Sequence, residues 1–218
     1  MKQFWQNSRA LWLGLALLTT TAVDASAQTT PAQDVAQNLD TSDEALVKQL
    51  PGFSNDYADV NGIRLHFVQG GAGQPLFLLG GWPQTWWEFH KIMPDLAKHF
   101  RVIAVDIRGQ GTSSRPATGY DKKTMAGDIH ALARSLGYQR IYIAGHDIGA
   151  MVAYSYAANY PKLRTPALGI GGISYPLLAT FLKQCAAHYT LIELKNTGHW
   201  VPEERPRETT EALVRFFQ

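Results

Sequence analysis

The sequence feature that most constrains the fold is the stretch 141–150, which reads IYIAGHDIGA. An apolar, β-branched run ends there in the motif GHDIG, and a stretch of helical character follows at once. This order predicts a strand, a sharp turn and a helix, the arrangement called a nucleophile elbow, with Asp147 at its apex. The residues two before and two after the apex must pack closely, and both are glycine, Gly145 and Gly149.

Asp147 gives this elbow a carboxylate where a hydroxyl is more familiar. A carboxylate is already charged at neutral pH, so it can attack an electrophilic carbon and form an alkyl ester with the enzyme. A buried aspartate that only caps the following helix is the structural alternative. The elbow interpretation is favoured because the other motifs of the chain agree with it.

The first 27 residues have the features of a secretory signal peptide. Lys2 and Arg9 supply a basic segment that precedes a short apolar run at 10–18. A small-residue cleavage site, Ala-Ser-Ala at 25–27, predicts Gln28 as the mature N-terminus. The apolar run is too short to span a bilayer, and an uncleaved anchor is the alternative. We therefore expect an exported protein, periplasmic or secreted, with no membrane segment in its mature form.

The remaining chain suits a leader at 28–52 and one folded domain at 53–218, which is long enough to bury a core. The net charge is +2, and no basic patch is interleaved with aromatic residues, so nucleic acid is not an expected partner. Cys185 is the only cysteine and has no CxxC context. Neither a metal-ligand cluster nor a phosphate-binding loop is visible, so no metal and no other cofactor is predicted.

Strands and helices alternate along the domain. A β-hairpin is predicted around Asn61-Gly62, and a loop is predicted at 70–73. Further strands are predicted at 75–79, 102–105, 141–144, 166–171 and 191–194, and helices at 42–49, 85–100, 122–136, 150–160, 175–188 and 202–217, the last with a break at Pro206. Such alternation predicts a mostly parallel sheet with helices on both faces.

Four motifs in this order resemble the α/β-hydrolase superfamily and, within it, the epoxide hydrolase branch. They are GWP at 81–83, DIRGQG at 106–111, GHDIG at 145–149 and GHW at 198–200, and the resemblance covers most of residues 55–218. It implies an α/β-hydrolase fold with an N-terminal hairpin, and a small-molecule substrate. The oligomeric state cannot be read from these motifs.

The resemblance implies a reaction in two steps. Asp147 opens an epoxide and becomes an ester, and a water activated by His199 as general base then hydrolyses that ester to a vicinal diol. The oxyanion of the second step would be stabilised by the backbone N–H groups of Ile148 and Trp82. A surface-loop role is the alternative for His199.

Other residues near these motifs have structural roles or two alternative roles. Trp86 and Trp200 either bind substrate or fill the core. His146 and His90 are interpreted as structural, His146 because it is expected to face away from the nucleophile. The motif at 106–111 contains Asp106 and Arg108, which are interpreted as a structural pair on the surface of a loop.

The chain also departs from the branch it resembles. Gly80 replaces the usual His or Pro, which predicts a looser oxyanion loop. Thr165 joins the elbow helix directly to the next predicted strand, so one core strand and the helical lid are missing. No carboxylate follows the strand at 166–171, and Glu193 lies inside a strand, so the acid that orients His199 is not found. Losing a strand would also displace His199 from Asp147.

These observations leave three functions open. The first is an exported, lidless enzyme resembling epoxide hydrolases, and the second is a truncated or degenerate member without turnover, at most a binding protein. The third is a haloalkane or haloacid dehalogenase that uses the same nucleophile. The third is disfavoured because Ile148 and Ala150 occupy the region where such enzymes commonly hold halide, and because Trp82 suits the epoxide branch.

Overall fold

The computed structural model describes residues 40–160, 167–185 and 189–218. The predicted signal peptide, most of the predicted leader and the junction at Thr165 lie outside these residues, so export and cleavage before Gln28 stay predictions. Among the residues that the structure describes, no helix is both long enough and apolar enough to cross a membrane.

The domain begins with a short helix and a hairpin. Helix α1, Asp43–Val47, is capped by the side chain of Ser42, and strand β1, Phe53–Val60, follows it. Strand β2, Ile63–Gly71, pairs with β1 in antiparallel register through a turn at 61–62 in which both residues have positive φ. The hairpin prediction is confirmed. The loop predicted at 70–73 starts too early, because residues 70 and 71 pair with the next strand of the sheet.

The remaining elements alternate as the sequence predicts. The strands are β3 Pro75–Leu79, β4 Arg101–Asp106, β5 Tyr142–Gly145, β6 Ala167–Gly171 and β7 Tyr189–Glu193. The helices are a 3₁₀ helix Trp86–Phe89, α2 Met93–Leu96, α3 Lys122–Ser135, α4 Ile148–Asn159, α5 Tyr175–Cys185, α6 Val201–Glu204 and α7 Pro206–Phe217. The C-terminal helix is interrupted before Pro206, as predicted, so that α6 and α7 are separate helices.

One predicted helix is interrupted. The stretch 85–100 forms the 3₁₀ helix and the single turn of α2 instead of one continuous helix. Pro94 lies in the first turn of α2. A proline has no N–H to donate to the preceding turn and disfavours helical geometry in the residue before it, so a new helix starts there.

The strands form two sheets. Five of them make a mixed sheet in the order β1-β2-β4-β3-β5, in which β3 runs parallel to both β4 and β5. Strands β6 and β7 make a separate parallel pair. Within the described residues, β5 pairs only with β3, and β6 pairs only with β7. The sheet is therefore interrupted after the elbow strand, where the sequence predicted a missing core strand.

Two hydrophobic layers lie on opposite faces of the five-stranded sheet. Side chains alternate along β3, so Phe77 and Leu79 pack with helices α3 and α4. Leu76 and Leu78 point the other way and pack with the 3₁₀ helix, α2 and Leu213 of α7. These layers confirm helices on both faces. They also place the carboxyl ends of β3 and β5 side by side, where the loop after β3 meets the elbow.

Candidate active site

Asp147 lies at the apex of the predicted elbow, between β5 and α4. Its φ of 51° and ψ of −119° are unusual for a residue with a side chain, and backbone strain of this kind is often found at functional sites. A Cβ on Gly145 would lie 2.3 Å from the backbone of Gly149, and a Cβ on Gly149 would lie 2.0 Å from the carbonyl oxygen of Leu79. The close packing that the two glycines predicted is present.

The two oxygens of the Asp147 carboxylate face different groups. Oδ1 accepts a hydrogen bond of 3.2 Å from the backbone N–H of Trp82. Oδ2 lies 3.6 Å from Nε2 of His199, with 32% of the Asp147 side chain and 39% of the His199 side chain exposed. The structure therefore brings three of the predicted site residues together in a site that is open to water, although the missing strand was expected to displace His199.

Ile148, the other predicted oxyanion donor, is the first residue of α4. Among the described residues, the hydrogen bonds to the Asp147 carboxylate include the one from Trp82 but none from the N–H of Ile148. Its position directly after the apex keeps that N–H at the free end of the helix. The role of Ile148 stays a prediction.

The loop at 80–85, which carries Trp82, is held by two buried side chains. The N–H of Gly81 donates to Oε2 of Glu88 at 3.0 Å, and Nε2 of Gln110 donates to the carbonyl oxygen of Gly81 at 3.1 Å. A Cβ on Gly80 would lie 3.0 Å from Oε2 of Glu88. The sequence predicted that Gly80 would loosen this loop, and that prediction is wrong because Glu88 and Gln110 hold it. The small residue leaves room for the carboxylate that holds the loop.

The loop at 194–200 carries His199 and is held through its backbone. The carboxylate of Glu204 accepts the N–H of Gly198 at 2.5 Å and the N–H of Trp200 at 2.9 Å. The carbonyl oxygen of His199 lies 2.8 Å from Nε2 of His146. Within the described residues, Asp147 is the only carboxylate in ion-pair range of a His199 ring nitrogen, so no orienting acid is found here either.

His146 faces the site, contrary to its interpretation from the sequence. Its ring centroid lies 4.6 Å from that of His199, and its Nδ1 lies 2.6 Å from Oε1 of Glu88, whose side chain is fully buried. Burial lowers the pKa of His146, but the carboxylate of Glu88, with help from the His199 carbonyl and Asp147, raises it above its ordinary value. His146 and Glu88 therefore form a largely buried ion pair next to Asp147.

The two candidate substrate-binding tryptophans differ. Trp86 is fully buried in the core and donates its Nε1–H to Asp43, so of its two alternatives the structure favours core packing over substrate binding. Trp200 lies at the site, with its ring centroid 4.7 Å from that of His199. His90 stacks on Trp87 with centroids 4.2 Å apart, which supports its structural interpretation.

Asp106 and Arg108 are structural but do not pair with each other, and both are buried. Oδ2 of Asp106 lies 2.7 Å from Nδ1 of His66. Arg108 makes a bidentate contact of 2.8 and 2.9 Å with Asp128 of α3, and this carboxylate raises the pKa of Arg108. The prediction of a surface pair is wrong because this glycine-rich loop folds inward under α3.

One group of side chains has the composition of a metal site. Asp43, His66 and Asp106 offer ligand atoms within 4.8 Å of one another. Their oxygens already accept protein hydrogen bonds: Asp43 from Trp86 Nε1 and Thr112, and Asp106 from the N–H of Trp86. The group is therefore explained as a buried hydrogen-bond network that joins α1 to the sheet, and it carries no metal assignment.

Sequence reasoning did not select three residues that hold the site: Glu88, Gln110 and Glu204. Gln110 could have been selected because it lies in the motif at 106–111. Glu204 could have been selected because it lies four residues after Trp200. Glu88 had no signal, because its partners Gly81 and His146 are distant in sequence and adjacent only in the fold.

Comparisons with known proteins bear on the fold and on the relatives of this chain. The sequence profile of the family described as alpha/beta hydrolase fold matches residues 74–164. The soluble epoxide hydrolase of Corynebacterium sp. (strain C12) is 50% identical over 128 residues, which are 55% of this chain and 45% of that protein. The fluoroacetate dehalogenase of a Burkholderia species is 35% identical over 115 residues, 50% of this chain and 38% of that protein. The chain thus spans less than half the length of these curated relatives.

A solved structure supports the same fold. The crystal structure of epoxide hydrolase A from Mycobacterium thermoresistibile matches with a TM-score of 0.70 at 18% identity, over 75% of this chain and 98% of that one. At this identity the likeness concerns the fold alone. The chain is therefore an α/β-hydrolase-fold protein that resembles the epoxide hydrolase branch of the superfamily.

Proposed function

We propose that this chain hydrolyses an epoxide to a vicinal diol through an ester on Asp147. The observation that carries the proposal is the position of the Asp147 carboxylate. It sits at a strained elbow with Oδ1 on the N–H of Trp82 and Oδ2 facing Nε2 of His199. An ionised carboxylate with one oxygen bound and the other directed at a histidine suits a nucleophile in two-step hydrolysis.

In the first step, Oδ2 of Asp147 attacks an epoxide carbon. A carbon–oxygen bond forms, the ring carbon–oxygen bond breaks, and the ring oxygen takes a proton from water or a solvent acid. Oδ1 stays on the N–H of Trp82, which leaves Oδ2 as the attacking atom. Tyr156 of α4 and Tyr160, which follows that helix, pack against His130 of α3, so these two side chains do not assist the leaving oxygen. We therefore expect a slow first step.

In the second step, Nε2 of His199 takes a proton from a water that attacks Cγ of Asp147. The negative charge develops on Oδ1, which already accepts from Trp82. The intermediate collapses, the diol oxygen leaves, and it takes the proton back from His199. The separation of 3.6 Å between Nε2 and Oδ2 is too long for a direct hydrogen bond, so Nε2 is available to a water.

The experiment that tests the proposal follows the oxygen atoms. The protein is incubated with a small aryl epoxide in H₂¹⁸O, and both the diol and the peptide that contains Asp147 are analysed by mass spectrometry. The water attacks Cγ, so successive turnovers must place ¹⁸O in the carboxylate of Asp147. Diol formation without label in that peptide would contradict the ester, and Asp147→Asn is the matched control that should form neither ester nor diol.

The same experiment separates the alternatives. A lasting adduct on Asp147 with little diol would support a member that is impaired in the second step, and neither adduct nor diol would support a protein without turnover. The similarity to a fluoroacetate dehalogenase over half of this chain makes fluoroacetate and a haloalkane necessary parallel substrates. Halide release from either, with no diol from the epoxide, would replace the proposal by dehalogenation.

A further inference from the structure

Glu88 contacts the loop that carries Trp82, and His146 contacts the loop that carries His199. Oε2 of Glu88 accepts the N–H of Gly81, the residue before the oxyanion donor, at 3.0 Å. Nε2 of His146 lies 2.8 Å from the carbonyl oxygen of His199 itself. The pair closes between them, because Nδ1 of His146 lies 2.6 Å from Oε1 of Glu88. A continuous chain of polar contacts thus runs from one loop to the other behind Asp147.

The partners of this pair define its charge. Both ring nitrogens of His146 face oxygen atoms, one a carboxylate and one a carbonyl. A neutral imidazole has one N–H and could satisfy only one of them, whereas an imidazolium donates to both. The Glu88 side chain is fully buried, and a carboxylate in such a place requires a positive partner. The geometry therefore favours an imidazolium at His146 that donates to both oxygens.

The surroundings of the His146 ring add no competing partner among the described residues. The charged and titratable groups that face it are Glu88 from the 3₁₀ helix, Asp147 at the elbow and His199 from the 194–200 loop. The ring of Trp200 covers it at a centroid distance of 5.4 Å. In the described part of the chain, neither Oε1 of Glu88 nor Nδ1 of His146 has a hydrogen-bond partner outside their mutual contact.

We propose that Glu88 and His146 are positioning residues, an ion pair that holds the oxyanion donor Trp82 and the base His199 in register with Asp147. The inference rests on the proposed function. The pair acts where an orienting acid on the His199 ring is not found, and it acts through the backbone of His199 instead of its ring. It also offsets the interruption of the sheet between β5 and β6, because it joins the elbow to the 194–200 loop without strand pairing.

The two steps of the reaction depend on this pair to different degrees. Attack by Asp147 on the epoxide uses a carboxylate that is already charged, so it needs neither the base nor a stabilised oxyanion. Hydrolysis of the ester needs both His199 and the N–H of Trp82 in place. Loss of the pair should therefore slow ester hydrolysis far more than ester formation.

Glu88→Gln is the variant that tests this expectation, since the amide keeps the size of the side chain and removes its charge. We expect ester hydrolysis in single-turnover mass spectrometry to slow by about 100-fold, with ester formation within about 3-fold of the wild type. The matched control is Asp128→Asn, which breaks another buried ion pair, the one that Asp128 of α3 makes with Arg108. It should lower the melting temperature without changing the ratio of the two steps.

A spectroscopic readout keeps the test independent of turnover. In ¹H–¹⁵N spectra of the histidine rings, Glu88→Gln should lower the pKa of His146 and shift the ring signals of His199, while Asp128→Asn leaves both unchanged. If the wild type forms no ester, the proposed function fails, but these spectra still decide the positioning role. Unchanged His199 signals in Glu88→Gln, or an equal loss in both chemical steps, would overturn the inference.

Discussion

Nε2 of His199 lies 3.6 Å from Oδ2 of Asp147, although the strands before these residues, β7 and β5, belong to separate sheets. Pairing of neighbouring strands therefore does not fix this distance. Contacts between loops do so instead, chiefly the one between His146 and the His199 carbonyl. The site should be sensitive to substitutions that leave the five-stranded sheet intact.

Replacing the proposed base should uncouple the two steps. In His199→Gln we expect the Asp147 ester to form and persist, because loss of a general base costs about 10²- to 10⁴-fold in rate. Intact-protein mass spectrometry after epoxide addition measures the adduct directly. His90→Gln is the control, since His90 stacks on Trp87 and is given no role in the reaction. Wild-type turnover in His199→Gln would remove His199 from the mechanism.

Glu204 should matter although it does not touch the ring of His199. In Glu204→Ala the N–H groups of Gly198 and Trp200 lose their shared acceptor, so the backbone on both sides of His199 is released. We expect ester hydrolysis to fall by about 10-fold, since small displacements of a catalytic group are costly. Glu211→Ala, an exposed position on α7, should change nothing. Equal rates of ester hydrolysis in the two variants would show that the 194–200 loop keeps its conformation without Glu204.

Gly149 should not tolerate a side chain. A Cβ there would lie 2.0 Å from the carbonyl oxygen of Leu79, so Gly149→Ala must push the elbow away from β3. We expect a loss of about 3 kcal/mol or more in the free energy of unfolding, measured by urea denaturation. The control is Gly127→Ala on α3, where the nearest atom is 3.7 Å away and alanine should stabilise the helix by about 0.5–1 kcal/mol. Similar values for both would contradict the packing of the elbow.

The stability of the fold should fall as the pH rises above neutral. The pKa of His146 is raised above its ordinary value of 6.5, so folding favours the protonated ring. The contribution of the ion pair is complete below the unfolded pKa and is lost as the pH rises through the folded one. Urea denaturation between about pH 6 and about pH 9 should show this decline. Glu88→Gln should lack the His146 contribution, and an unchanged slope in that variant would contradict the assignment.

Export stays a prediction that a simple fractionation tests. Expressed in a bacterial host, the chain should appear outside the cytoplasm with Gln28 as its first residue, because Ala25 and Ala27 are the third and first residues before the predicted cleavage site. Ala27→Arg should leave the precursor uncleaved. A cytoplasmic protein with an intact N-terminus would exclude the signal peptide.

Local sequence determined most elements of this protein and the position of Asp147 at the elbow. The order of apolar runs and turn residues specified the hairpin, the buried strands and the elbow, because these patterns act within a few residues. The sequence also indicated why residues 145 and 149 are glycine, since only a residue without a side chain fits at these two positions.

The tertiary structure alone decided how the site is held. Glu88 and His146 are 58 positions apart in the numbering and contact each other only because β3 and β5 are neighbours in the sheet. The same adjacency placed Trp82 on Asp147. The pairing of β2 with β4 brought His66 to Asp106, and Asp128 of α3 took Arg108 as its partner. Burial and contacts between distant segments depend on the packing of the whole domain, so sequence patterns within one segment do not predict them.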